Sequence, residues 1–303
     1  MTYRKTSRLS VLVFLLALIF SSCQTNNVDP FKTDLISYQE IPGLTNTGPI
    51  QFDILTKRGS LTIDSKWEGP GSGTKEDPFI VENVDISGVL KIKVSNVIVR
   101  NFRVKSNSTY PVQAHFKKTS NILLENGEVI GGVRSSATII AKNGVTLRKL
   151  NLHETGGDGV KVQGSNFTME NCWIHHIGLA DGAHADGVQG TVRGSNKRWK
   201  NHVYRGNFFD MAVNKLTGDY SSNATILLHS KGEGAGIDGV LIENNWLIGG
   251  NFSLPLGKGI KGTKILNNKF GHRGVEVRFG NLRLKETPDL VEGNVYYDTE
   301  EPI

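Results

Sequence analysis

Cysteine is nearly absent from this 303-residue chain: there are two, Cys23 and Cys172. A lone thiol downstream of Cys23 cannot close an internal disulfide, so Cys172, between Asn171 and Trp173, is expected to be a buried core side chain. Amphipathic helical spacing is missing throughout, which excludes leucine-rich, ankyrin and helical-pair repeats. No basic run with interleaved aromatics occurs, so nucleic acid is not an expected partner. A flat, repeated threonine face is lacking too, which excludes an ice-binding surface.

What the chain does have is a repeated strand phrase. It appears as Val97-Ile-Val-Arg-Asn101, Ile122-Leu-Leu-Glu-Asn126, Val145-Thr-Leu-Arg-Lys149, Phe167-Thr-Met-Glu-Asn171, Val203-Tyr-Arg-Gly-Asn207, Val240-Leu-Ile-Glu-Asn244, Lys264-Ile-Leu-Asn-Asn268 and Leu290-Val-Glu-Gly-Asn294. The steps between last residues are 25, 23, 22, 36, 37, 24 and 26, a solenoid period with two oversized coils. Each phrase alternates apolar and polar residues and leads into a second alternating run, so it reads as strand, bend, strand. The expected fold is all-β: a single-domain, right-handed parallel β-helix of about eight or more coils. Asn101, Asn126, Asn171, Asn207, Asn244 and Asn268 are expected in one line along a bend, tolerating left-handed backbone and bonding as an amide ladder.

Residues 1–22 carry Arg4, Lys5 and Arg8, then an apolar run from Leu9 to Phe20, and read as an export signal rather than a membrane span. Ser21-Ser22-Cys23 resembles the lipobox of bacterial lipoproteins, which implies lipidation at Cys23 and a cell-envelope location, periplasmic or surface-facing. Residues 23–56 read as a tether and 57–303 as the solenoid, with a cap around Leu61–Trp67. No further domain is expected, and a monomer is. The formal charge is +6, of which the signal supplies three, leaving +3 and a weak preference for an acidic partner.

Residues beyond the coil's need must loop out, and the chemistry-bearing side chains cluster in or beside the oversized coils. Asp158-Gly-Val-Lys161 and His184-Ala-Asp186-Gly-Val-Gln189 repeat an Asp-Gly-Val unit. At equivalent places in adjacent coils the two aspartates are about 5 Å apart, with Lys161 and Gln189 stacked beside them. Such carboxylates raise one another's pKa unless a cation intervenes. Asp158, Asp186 and Asp181 are hard oxygen ligands suited to Ca²⁺, with Lys161 as the alternative neutraliser. His229, Lys231, Arg273 and Arg278 are candidates, with Gln189, for substrate binding; His175 and His176 are expected to be structural.

The coil pattern together with Gly-Gly-Asp158-Gly-Val-Lys161 and His184-Ala-Asp186-Gly-Val-Gln189 resembles the pectin-lyase-like superfamily of right-handed β-helix proteins, over residues 69–298. That family includes polysaccharide lyases, uronan epimerases and polygalacturonase-type hydrolases. The paired Asp-Asp of the polygalacturonases, the Asp-Pro-His-Asp of alginate epimerases and the Arg-x-Pro-x-x-Arg of pectate lyases are absent. The resemblance implies an enzyme acting on an acidic, uronate-containing polysaccharide. The cation-rich inventory favours β-elimination, with Lys161 and His184 as base and acid beside Asp158 and Asp186. A glycoside hydrolase using Asp158 and Asp186, or a non-catalytic glycan-binding solenoid, are the alternatives.

Overall fold

The computed structural model describes residues 40–211 and 222–303. The signal segment and Cys23 lie outside the described residues. No helix among those residues is long and apolar enough to cross a membrane. They form an all-β structure without an α-helix, in which every pairing between named strands is parallel. Successive coils stack strand upon strand, as in a β-solenoid. The sheet that matters most here runs Leu61–Ile63, Leu90–Ile92, Val112–Ala114, Ala137–Ala141, Asp158–Val162, Ala185–Arg193, Ser222–Lys231, Phe252–Leu256 and Gly280–Leu284.

Alternation builds the core. In the Asn-terminated phrases Val81, Val99, Leu124, Leu147, Met169, Tyr204, Ile242 and Ile265 form one inward column in register, all buried. Leu90, Val112, Ile139, Val160, Val188 and Ile226 form the facing column, all fully buried. Burying each such side chain contributes about 2 kcal/mol before entropy is set against it.

The bends differ from the expected single asparagine line. The left-handed line is Asn83, Asn101, Asn126, Lys149, Asn171, Gly206, Asn244, Asn267 and Gly293, with φ between 47° and 66°. Asn207 and Asn268 stand one residue further on and point inside, so the six asparagines fall into two adjacent lines, not one. Gly and Asn both fit left-handed backbone, and spacing alone cannot say which of Gly206-Asn207 or Asn267-Asn268 takes it. The ladder is the inner line: Cys172 N–H donates to Asn207 Oδ1 (3.0 Å), Asn207 N–H to Asn245 Oδ1 (2.9 Å), Asn245 N–H to Asn268 Oδ1 (3.0 Å) and Asn268 N–H to Asn294 Oδ1 (3.0 Å). Cys172 continues it upward, its sulfur accepting from Leu150 N–H at 3.4 Å; burial pushes the thiol up to about 12, as suits an inert core cysteine. A second left-handed line, Asn96, Asn121, Gly144, Asn166, Asn201, Gly239 and Gly262, lies five residues before the first and brackets each phrase at its start.

Two further expectations change. Leu61–Ile63 is itself a paired strand of the stack, so the segment read as a cap belongs to the first coil. Part of the tether is docked: Thr47, Gly48 and Pro49 are buried, Gly48 N–H donates to Lys149 O, and Ile50 and Gln51 N–H both donate to Asn101 Oδ1.

Candidate functional site

The Asp-Gly-Val repeat comes together as its spacing implied. Val160 pairs with Val188 and Lys161 with Gln189, which places Asp158 beside Asp186 at the starts of neighbouring strands. The glycines between them have a packing cause: a Cβ on Gly159 would lie 2.5 Å from Gly187 O, and one on Gly187 2.5 Å from Thr225 O. Only a hydrogen fits there.

Both carboxylates are buried, the Asp158 side chain 6% and the Asp186 residue 1% exposed. The amides around them compensate. Asp158 Oδ1 accepts Asp186 N–H (2.9 Å) and Asp158 Oδ2 faces Lys161 Nζ at 3.3 Å. Asp186 Oδ2 accepts from Gln189 Nε2 and Asp186 Oδ1 from Asn223 Nδ2, both at 2.9 Å. Lys161 Nζ also donates to Ser136 Oγ at 2.6 Å. Burial raises the Asp158 carboxyl while Lys161 pulls it down; burial, then the Asp158 charge, push Asp186 up to about 8. Of the two carboxyls, Asp158 is the one in contact with a cation, Lys161.

This arrangement does not fit the Ca²⁺ site expected from Asp158, Asp186 and Asp181. N–H groups already occupy the four oxygens of the pair, Asp181 is exposed, and no group of three or more acidic, histidine or cysteine side chains among the described residues is placed to hold a metal ion. Lys161 Nζ is the cation that stands against Asp158.

A pH prediction follows. The Asp186 carboxyl titrates near 8 in the fold against about 3.9 in an unfolded chain, so the folded state binds the extra proton between those values. Its contribution to stability is whole below about pH 4 and is lost as pH rises toward 8. His175 and His202, lowered by burial to about 3 and about 4, act in the opposite sense, losing stability as pH falls below about 6.5. Asp186→Asn should flatten the decline of Tm between pH 4 and 8 relative to the wild type; parallel curves would show that Asp186 is ionised throughout.

Two cavities flank this pair. One, of about 380 Å³, is lined by Arg134, Ser136, Asp158, Lys161, His184 and Gln189 among others. The other, of about 360 Å³, is lined by Tyr110, Lys142, Lys161, Gln163, Gln189, Thr191, Arg193, Lys197 and Trp199. Lys161 and Gln189 border both, so the two form one groove across the outer face of the sheet. The loop between Trp173–Ile177 and Ala185–Arg193 supplies Ala180, Ala183 and the exposed His184, which makes the first oversized coil a wall of the groove. The surplus of the second falls largely at 212–221, outside the described residues.

The remaining candidates lie elsewhere. His229 bonds Thr191 Oγ1 at 2.7 Å and lines a third cavity with Arg283; Lys231 is exposed opposite Arg193. Arg273 and Arg278 do not lie on a strand: residues 272–277 fold into a turn closed on His272 O, and Arg278 rests on Phe279. Neither lines the groove. By register Arg278 stands three strands along from the start of the Ala185–Arg193 strand, about 14 Å away. His175 is buried between Trp173 and His153 and bonds Asn151, a packed structural role. Sequence reasoning gave no place in the site to Ser136, to Asn223, which stands out only as an Asn-x-Thr match, or to Lys142, Arg193, Lys197 and Trp199, whose grouping depends on strand register. No protein-family model and no curated protein matches the chain.

Proposed function

We propose that the protein is a right-handed parallel β-helix of about eight coils or more, of the pectin-lyase-like kind, which cleaves an acidic, uronate-containing polysaccharide by β-elimination. On this reading Cys23 is lipidated and anchors a monomer in a bacterial cell envelope, periplasmic or surface-facing. The observation that carries the activity is Lys161: its ammonium stands between two cavities, held by Asp158 and Ser136 on a buried carboxyl platform. A preorganised cation in a half-dry groove stabilises charge that develops on a sugar.

The roles follow from the contacts. Arg134, at the rim of the same cavity, offsets the charge of the C5 carboxylate. His184, exposed at the mouth, takes the C5 proton. The electron pair of that C–H bond becomes the C4=C5 double bond, the C4–O4 bond breaks, and O4 leaves with a proton from Lys161. This exchanges the base and acid expected of Lys161 and His184, because an ammonium already paired with Asp158 is a proton donor. One feature favours a hydrolase, namely that burial and the neighbouring Asp158 raise the Asp186 carboxyl well above the usual carboxylate range. Its burial weighs against that: both its oxygens are held by amides, and a hydrolase needs two carboxyls flanking the bond, not stacked on one wall.

The test is incubation with alginate, polygalacturonate, glucuronan and glycosaminoglycans, following the ultraviolet absorbance of the 4,5-unsaturated uronate. Absorbance that grows with one of them is the expected result. New reducing ends without absorbance would make the enzyme a hydrolase, and binding with neither would make it a glycan-binding module.

A further inference from the structure

The second cavity has an electrostatic character of its own. Lys142, Lys161, Arg193 and Lys197 line it and no carboxylate does. Apart from Lys161, none of these cations is paired with a carboxylate among the described residues. Uncompensated cations converging on a concave space favour an anion there, since their mutual repulsion is relieved only by a ligand of opposite sign. The half-buried Tyr110 and the buried Trp199 line the same space, with Lys197 Nζ 5.8 Å from the Trp199 ring centre. Of these two rings only the half-buried Tyr110 presents surface, and an aromatic face beside cations suits a sugar ring carrying a carboxylate.

Register says how a polymer would reach it. Along the stack, the outward row through Lys161 and Gln189 continues as Ile140 on one side and as Leu227, then Pro255, on the other. The adjoining Ile140, Leu227 and Pro255 offer no polar side chain, and the row turns polar again only beyond them, at Gln113 on one side and Arg283 on the other. Along the strand, polar and charged groups continue from His184 past Lys161 and Gln189 to Thr191 and Arg193, the last about 13 Å beyond Gln189. The Thr191–His229 hydrogen bond stands between this cavity and the one lined by Arg283.

We propose that the cavity of Lys142, Arg193 and Lys197 is a subsite for a second anionic sugar of the substrate, so that the polysaccharide lies along the strands and crosses the sheet instead of following the stack of coils. It rests on the preceding reading only in taking an acidic glycan as the ligand. Neither elimination nor hydrolysis is required for it.

Binding of sodium alginate and of sodium polygalacturonate to the full chain, measured by affinity electrophoresis with carboxyl-reduced polymer as control, tests it. The double variant Arg193→Ala/Lys197→Ala should weaken binding of the polyanion that the wild type retains by about tenfold or more, with a shallower salt dependence, since each charged contact carries roughly a factor of ten. Leu227→Trp, which obstructs the row along the stack, should leave binding unchanged, and thermal melting should show both variants folded. Weakening by Leu227→Trp with no effect of the double variant would mean the chain follows the stack and overturns the proposal. So would equal binding by all three proteins, or retention of neither polyanion by the wild type. Unsaturated product bears on the reaction alone: its absence beside intact, charge-dependent binding removes the lyase and leaves the subsite.

Discussion

Lys161→Ala is expected to lower the turnover of elimination by about a hundredfold or more, the usual scale for a group that moves a proton. The same change is expected to destabilise the fold by about 3 kcal/mol, because Asp158 is left buried without the ammonium 3.3 Å away. These two effects can be separated. In Lys161→Ala/Asp158→Asn the orphaned charge is gone, so Tm should recover most of the loss while turnover stays at the level of the single variant. Recovery of turnover along with Tm would show that Lys161 is only a structural counter-ion. Near-full activity in Lys161→Ala would remove it from the chemistry altogether.

Asn245→Leu should be among the most damaging single substitutions for stability. Asn245 is fully buried; its Oδ1 accepts from Asn207 N–H and Nδ2, and its Nδ2 donates to Tyr204 O and Asn268 Oδ1. Leucine is close in size but satisfies none of these, stranding at least the Asn207 N–H and the Tyr204 carbonyl. At about 1–3 kcal/mol for each buried unsatisfied group, a loss of about 4 kcal/mol follows. Asn244→Gly, one residue earlier at φ 54°, removes no ladder partner and should stay within about 1 kcal/mol. Urea unfolding at unchanged slope reads the contrast through its midpoint. Equal midpoint shifts for the two variants would mean that the bend line, not the inner ladder, holds the coils in register.

The contrast also shows where the sequence was legible. Parallel strand stacking followed from a repeat of about two dozen residues with two-residue alternation, and the Asp158/Asp186 juxtaposition from a repeated tripeptide. Both are periodic signals, and register preserves period. The assignment of Asn207 and Asn268 failed by one residue because Gly-Asn and Asn-Asn each offer two residues able to take left-handed backbone. Arg273 and Arg278, taken as substrate-binding candidates, lie instead in and just after the turn closed on His272 O, away from the groove. Arg283, which does face outward in the Lys161 row, sits in a segment with no motif. The grouping of Lys142 with Arg193, Lys197 and Trp199 was invisible for a different reason: Lys142 lies some fifty residues before the other three, and only the stacking of strands brings it beside them. The burial of Asp186 had no sequence signal, since it depends on amides from Gln189 and Asn223, the latter contributed by the next strand.

Elimination adds no water across the bond it breaks, whereas hydrolysis must. The most direct measurement is therefore the mass of oligosaccharides released by the wild-type protein in water enriched in heavy oxygen. Products lighter than the hydrolytic series by one water, each with an unsaturated end and no heavy-oxygen label, are the outcome expected of a lyase built on Lys161 and His184. Saturated products carrying one heavy oxygen for each bond cleaved would contradict it and move the chemistry to Asp158 and Asp186.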